Sequence, residues 1–234
     1  NDVICSLMEQ ARTSGRQYYE RWELFNSYTG CMLGNPALSV LADAYAKGIR
    51  NYDVEEAYRY AVNSSAKFGN GELGYTVSGT SISHTLEYAY FDWCIAQLAK
   101  ALGKSEDAEA YMLKSQAWRN LFDDEKGWFR PRRADGEWEE WPENARTREW
   151  YGCMEATPYQ QGWFVPHDID GLADKLGGRE VAVADLKNFF EKAPADMQWN
   201  AYYNHANEPV HHVPFMFNRL GAPHLTQYWS RFIC

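Results

Sequence analysis

The chain has 234 residues, a formal net charge of −9 and an aromatic content of 16%, with ten Trp, sixteen Tyr and eleven Phe. That length is enough for one large domain or two small ones with a full core. The acidic balance and the lack of Lys/Arg clusters argue against a nucleic-acid partner, and no run approaches the roughly 20 apolar residues that span a bilayer.

In chain order the pattern is nearly all helix. The run NPALSVLADAYAKGI from Asn35 opens with Pro36 in a first turn and stops at Gly48. Val54 to Phe68 forms a second helix with Asp53 as its N-cap. Ser83 to Leu102 is apolar all round, which predicts burial on nearly every side; its carboxylates Glu87 and Asp92 are satisfied core groups or cleft residues. Glu106 to Phe122 carries a single stripe (Ala108, Tyr111, Met112, Ser115, Trp118, Phe122) and so packs on one side only. A buried helix followed by an amphipathic one is what a double ring of helices would give. Gly127 to Trp150, rich in charge, Pro and Trp, reads as a long excursion from the helical core, of the kind that often carries function. Ile169–Leu176 and Glu180–Lys192 read as a further helix pair around Gly177-Gly178, with Asp168 and Asp170 as caps. No repeat of fixed period is visible.

Five cysteines without CxxC or metal spacing imply neither a disulfide scaffold nor a zinc site. The chain starts at Asn1 rather than Met, which predicts that processing or truncation has removed what came first.

Two runs mix carboxylates with amides, histidines and aromatic residues: EATPYQQGWFVPHDIDGL from Glu155 and HANEPVHHV from His205. Glycoside hydrolysis needs two carboxyl groups with different proton affinities. Glu155, near Tyr151, Tyr159 and Trp163, is the best acid candidate, because partial desolvation would keep its proton; the plain alternative is a surface glutamate before a helix. Pro209 pushes Glu208 towards an extended conformation. Gln160, Asn207 and Glu208 offer oxygen ligands suited to a hard cation such as calcium, or they merely bond loop backbone. His205, His211 and His212 lie together and His167 precedes Asp168, yet there is no HExxH, and adjacent His211 and His212 point apart. They suit the polar wall of a cleft better than a zinc site. Trp22 lines a sugar subsite or packs inside.

The runs CMLGNPALSVLADAYAKGI, SHTLEYAYFDW, AYMLKSQAWRNLFDDEKGWFRPRRADGEW, EATPYQQGWFVPHDIDGLADKLGG and NHANEPVHHVPFMFNRLGAPHLTQ occur in an order that resembles the catalytic domain of glycoside hydrolase family 92, calcium-dependent exo-acting α-mannosidases. The likeness covers the chain from about Trp22 to the end. It implies an all-α chain, part of an (α/α)6 barrel catalytic domain over 1–234, with an N-terminal β-sandwich domain outside this chain. It also implies hydrolysis of terminal α-linked mannose with inversion, a mannose-containing glycan as partner, and a secreted or periplasmic location. The family's general acid falls on Glu155. Its calcium and sugar positions fall on Gln160, Asn207 and Glu208, with Trp22, His205, Glu208 and His212 expected to touch substrate.

Three departures stand out. The family's usual Gly-Asn-Ala-Trp-Gln-Tyr after the acid is Ala156-Thr157-Pro158-Tyr159-Gln160-Gln161 here. Members acting on α-1,2 linkages tend to carry His where Asn207 stands. The family's base, an aspartate in a Gly-Asn-Asp-Asp run, would come after Cys234, so the chain is expected to be incomplete, inactive alone and apolar along its cut edge. The alternatives are a helical carbohydrate-binding module without catalysis, and an unrelated (α/α)6 enzyme such as another glycosidase or a polysaccharide lyase.

Overall fold

A computed structural model describes residues 1–25 and 27–234. They divide into two units, Asn1–Thr76 with Glu87–Trp118, and Val77–Leu86 with Arg119–Cys234.

The first unit opens with α1 (Asp2–Thr13), a helix beyond those expected from the sequence, which buries Ile4, Met8 and Ala11 along one face. A short hairpin follows, β1 (Glu23–Leu24) against β2 (Ser27–Tyr28), antiparallel with Glu23 opposite Tyr28. Helix α2 (Pro36–Ala46) starts with Pro36, whose missing N–H costs nothing in a first turn, and ends just before Gly48 at φ +83°. Helix α3 (Val54–Phe68) has the expected bounds, and the Asp53 carboxylate caps it by accepting the Glu56 N–H at 2.9 Å. Helix α4 (Ser81–Ala101) begins two residues earlier than its apolar pattern suggests, and only Lys100 and Ala101 at its end are exposed. Its first residues, to Leu86, belong to the second unit.

Helix α5 is shorter than its stripe. It covers Ser105–Lys114 and tightens into a 3-10 helix over Ser115–Leu121. At that junction the Ser115 hydroxyl donates to the Met112 carbonyl at 2.7 Å, a local bond that competes with regular helix. Tyr111, Ser115, Trp118 and Phe122 are buried as the stripe requires, whereas Met112 is 40% exposed. Ile4, Leu41, Ala57, Ala61, Ile95 and Leu98 share one core in this unit. Buried Tyr19 joins it to α3 by donating its hydroxyl to Ala57 O at 3.1 Å and its N–H to Ser64 Oγ at 2.8 Å.

In the second unit the long excursion is ordered. Strands β3 (Phe122–Asp123) and β4 (Trp128–Phe129) pair antiparallel across a turn in which Asp123 Oδ1 accepts the N–H groups of Glu125 and Lys126. The second oxygen of Asp123 meets Arg130 at 2.9 Å. Arg132 lies over the Trp138 ring at 4.5 Å, and a 3-10 turn at Ala145–Thr147 closes the segment. Four residues, Pro158–Gln161, make α6. Helix α7 (Ile169–Lys175) is capped by Asp168, which accepts the Gly171 N–H at 3.0 Å and pairs with Arg119. Asp170 does not cap; its carboxylate is drawn to Arg179 and Arg219 instead. Then come α8 (Arg179–Glu191), α9 (Val213–Arg219) and α10 (Pro223–Ile233). No helix among the described residues is long and apolar enough to cross a membrane.

Glu87 and Asp92 prove to be buried carboxylates of α4. A Cβ at Gly34, which stands at φ +79°, would overlap the Glu87 carboxylate, so glycine is needed there twice over. Asp92, 3% exposed, accepts the Ser65 hydroxyl at 2.6 Å, and burial raises its pKa to about 6. A carboxyl group with a raised folded-state pKa holds its proton more tightly in the fold than in the unfolded chain. Its contribution is therefore full below the ordinary value of 3.8 and is lost as pH rises through about 6. Asp92→Asn keeps an acceptor for Ser65 and removes the charge. We expect it to stabilise the protein at pH 8 by on the order of 2–3 kcal/mol, with the gain vanishing below about pH 4, in thermal unfolding of both proteins across that range.

Candidate functional site

The Glu155 run begins on a loop that few residue types could form. Gly152 has φ +70°, and a Cβ there would lie 2.7 Å from Pro131 and 2.9 Å from Ile82, so the chain passes α4 at a distance only glycine allows. This closeness lets the Gly152 carbonyl accept the N–H groups of Ile82 and Ser83 at 2.8 and 3.3 Å, two donors that the first turn of a helix leaves free. One residue on from buried Cys153, the Met154 N–H donates to Ser83 Oγ at 3.0 Å, and the Ser83 hydroxyl in turn donates to Gln161 Oε1 at 3.0 Å.

Glu155 itself has φ +50°, a left-handed conformation that costs a residue with a Cβ roughly 1–2 kcal/mol. Its side chain is exposed. The desolvation expected around it is thus not supplied by Tyr159 and Trp163, which are packed in the core around Trp128, while Tyr151 meets the Trp141 ring edge-on.

Beyond Glu155 the chain is fixed again. Thr157 caps α6 through a capping box: its Oγ1 accepts the Gln160 N–H at 3.2 Å, and Gln160 Oε1 accepts the Thr157 N–H at 3.0 Å. Gln160 Nε2 donates to the carbonyls of Asn200 and Tyr202 at 2.6 and 2.7 Å. Buried Gln160 therefore ties the loop before α6 to the segment that leads into the second run. Trp128 supports α6 from below, donating its indole N–H to Pro158 O at 2.8 Å and lying so close to Gly162 that no side chain fits there. Arg146 sits 4.0 Å from the rings of both Trp128 and Tyr159 and pairs with Asp185, which accepts the Tyr159 hydroxyl at 2.7 Å.

The second run meets the first through Asn207, whose Nδ2 donates to the Glu155 carbonyl at 3.0 Å. Asn207 is extended, at φ −117° and ψ 125°, and Glu208 opens a 3-10 turn over Glu208–Val210. The extended conformation expected at Glu208 thus falls one residue earlier, because Pro209 tolerates an early position in a turn, where its missing N–H is not needed. Glu208 is exposed. His205 is exposed, its Nδ1 lies 2.8 Å from the Tyr203 hydroxyl, and its ring is 4.8 Å from that of His211; burial and then His211 lower its pKa. His212 donates its Nε2–H to Trp163 O at 2.9 Å and meets the Phe164 ring edge-on at 5.4 Å, and burial lowers its pKa as well. Trp22 is 58% exposed in the first unit, which sets aside the packing reading of its ring.

A calcium ion takes about six to eight oxygen ligands. Asn207 Oδ1 carries no hydrogen bond among the described residues, and the Glu208 carboxylate faces solvent, so both suit such an ion. Gln160 Oε1 already accepts from Thr157 in an enclosed position and has only a second lone pair to offer. No group of three His, Cys, Asp or Glu side chains suited to a metal occurs among the described residues, so amides, backbone oxygens or ligand hydroxyls would have to complete the shell.

Sequence pattern alone did not single out Ser83, Thr157, Arg146 or Asp185, which shape the site without touching its open face. Their signal was weak: a Ser near a helix start, a Thr before Pro, and an Arg and an Asp far apart in the chain.

Comparison with known proteins supplies the context. The model of the glycosyl hydrolase family 92 catalytic domain matches residues 1–234. A solved family 92 alpha-mannosidase from Bacteroides thetaiotaomicron is 32% identical with a TM-score of 0.90, covered for 99% of this chain and 32% of that one. A family 92 inverting mannosidase from the same organism is 29% identical with a TM-score of 0.84, over 97% of this chain and 35% of that one. An uncharacterized secreted glycosidase of Arthroderma benhamiae is 29% identical over 82% of this chain and 30% of its own length. The chain thus spans about a third of the length of these relatives. Its mostly helical fold agrees with theirs, whose structures contain an (α/α)6 barrel domain. From the family match over its whole length, and from the fold it shares with those enzymes, the chain belongs to glycosyl hydrolase family 92.

Proposed function

We propose that this chain carries the general acid of an exo-acting α-mannosidase that works with inversion, and that the acid is Glu155. The observation that carries the reading is the combination at Glu155: an exposed carboxylate on a left-handed backbone, pinned from both sides by buried partners. Left-handed backbone also occurs at Gln17, Phe25, Met32, Trp150 and Met197, but at Glu155 it falls on a carboxylate and is over-determined by buried partners, a common mark of a working site. The mannoside preference draws on the similar mannosidases, one of them solved with mannoimidazole. The fungal relative named as a secreted glycosidase favours a place outside the cytoplasm.

In this mechanism Glu155 donates its proton to the glycosidic oxygen as the bond to the anomeric carbon breaks. A base on the opposite face, which the family resemblance puts outside these 234 residues, takes a proton from the attacking water; inversion needs the two carboxyl groups about 6.5–9.5 Å apart. Asn207 holds the Glu155 carbonyl through Nδ2 while its Oδ1 stays open, and with Glu208 it would hold a calcium ion. A calcium ion held there would supply positive charge for polarising sugar oxygens. His205 and His212 would offer polar groups to the sugar; the exposed ring of Trp22, in the first unit, is itself suited to stacking on a sugar.

Two substitutions at one position separate chemistry from strain. In the enzyme at its natural length, Glu155→Gln should lower kcat on an α-mannobioside by about 10²–10⁴-fold, the range for a lost general acid. Glu155→Gly should lose the same activity yet raise thermal stability by up to about 1 kcal/mol, since glycine adopts the left-handed conformation without strain. Full activity in Glu155→Gln would sink the assignment. Mannose release that is insensitive to a chelator would remove calcium from the mechanism.

A further inference from the structure

We infer that Ser83, at the start of α4, is a positioning residue that sets the backbone carrying Glu155; the inference rests on Glu155 being the proton donor. Ser83 is fully buried, so water cannot take over its bonds. Its Oγ accepts the Met154 N–H at 3.0 Å, and Met154 is the residue immediately before Glu155. Because that N–H points into the oxygen, the hydroxyl proton is free for Gln161 Oε1, at 3.0 Å, on the far side of the loop. One hydroxyl therefore ties both flanks of Glu155, the approach through Met154 and the end of α6 through Gln161.

The bonds from Ile82 N and Ser83 N to the Gly152 carbonyl complete the latch, and all three contacts come from the first turn of one helix. Glu155 at φ +50° would relax to an ordinary conformation if the peptide before it could turn. The Met154–Ser83 bond holds the Cys153–Met154 peptide, one peptide before the one that enters Glu155, while Asn207 holds the carbonyl that follows Glu155, so the short stretch between these two anchors has little room to turn. Ser83→Ala removes the acceptor and the donor together but leaves the helix start in place. The carboxyl group would then lose its aim at the glycosidic oxygen, with little change in the surfaces that bind the sugar.

The test uses the enzyme at its natural length and two substrates, an α-mannobioside, whose leaving group needs a proton, and a dinitrophenyl α-mannoside, whose leaving group does not. Ser83→Ala should lower kcat on the mannobioside by about 10–100-fold, the cost of a misplaced catalytic group, with KM nearly unchanged. The dinitrophenyl substrate should lose no more than about 3-fold, and Ser83→Thr, which restores the hydroxyl, should recover most of the mannobioside rate. Equal losses on both substrates, or no loss on either, would overturn the inference. If Ser83→Ala does not fold, Ser83→Cys keeps the volume with a weaker acceptor, and the same ratio of the two rates decides. Glu155→Gln is the control for the reading beneath. If it too fails to discriminate between the substrates, or if the parent enzyme releases no mannose, the proton-donor reading falls. If it discriminates and the Ser83 variants do not, only the role of Ser83 falls.

Discussion

The bond from the Asn207 amide to the Glu155 carbonyl joins two runs that lie about fifty residues apart in sequence. It is a modest interaction, worth on the order of 1 kcal/mol in net terms. Its importance comes from where it falls. Glu155 occupies a left-handed conformation that its own side chain disfavours by a similar amount, so the loop keeps that shape only while bonds on both sides outweigh the strain. Gly152 permits the close approach to α4, Ser83 accepts the N–H before Glu155, and Asn207 donates to the carbonyl after it.

Beneath this loop lies a cluster of buried aromatic rings. Trp128, Tyr159, Trp163 and Phe189 are all buried, and their rings meet edge-on or tilted at centroid distances of 4.8–6.4 Å. Truncating a buried Trp of this kind typically costs about 3–5 kcal/mol, several times the strain at Glu155. The excursion between β4 and α6 contributes through Arg146, held between Trp128 and Tyr159 and paired with Asp185. A segment that looks irregular in composition thus becomes the floor of the site, because its charged groups find partners within the same unit.

The parts of the fold legible in the sequence were those governed by local rules. Asp53 announced the start of α3, Pro36 the start of α2, and the apolar run of α4 its burial. The parts that escaped depend on partners distant in sequence or on competing short-range bonds. Helix α1 is an exception, since Ile4, Leu7, Met8 and Ala11 already stand at helical spacing in the sequence, whereas α5 yields to a 3-10 helix where Ser115 bonds back to Met112. Both carboxylate runs stood out by composition, and the chain does bring them together through Asn207. Which of their polar atoms are open was not legible: Gln160 and Asn207 look equivalent as letters, yet one amide is consumed by Thr157, Asn200 and Tyr202 and the other keeps its oxygen open.

If Glu155 is the proton donor proposed above, the exposure of its side chain says what the site still needs. An aromatic neighbour in sequence is a poor guide to desolvation, since Tyr159 and Trp163 turn inward and leave the carboxyl group facing solvent. Among the described residues no apolar ring covers the carboxyl group, so on the proposed reading its cover would come from whatever docks on the open face. A docked sugar brings such cover with it, displacing water as its ring settles against the site. On the proposed reading the latch around Glu155 and its open face are complementary: the bonds to Ser83 and Asn207 hold the backbone that carries the carboxyl group, and a docked ligand would complete its surroundings.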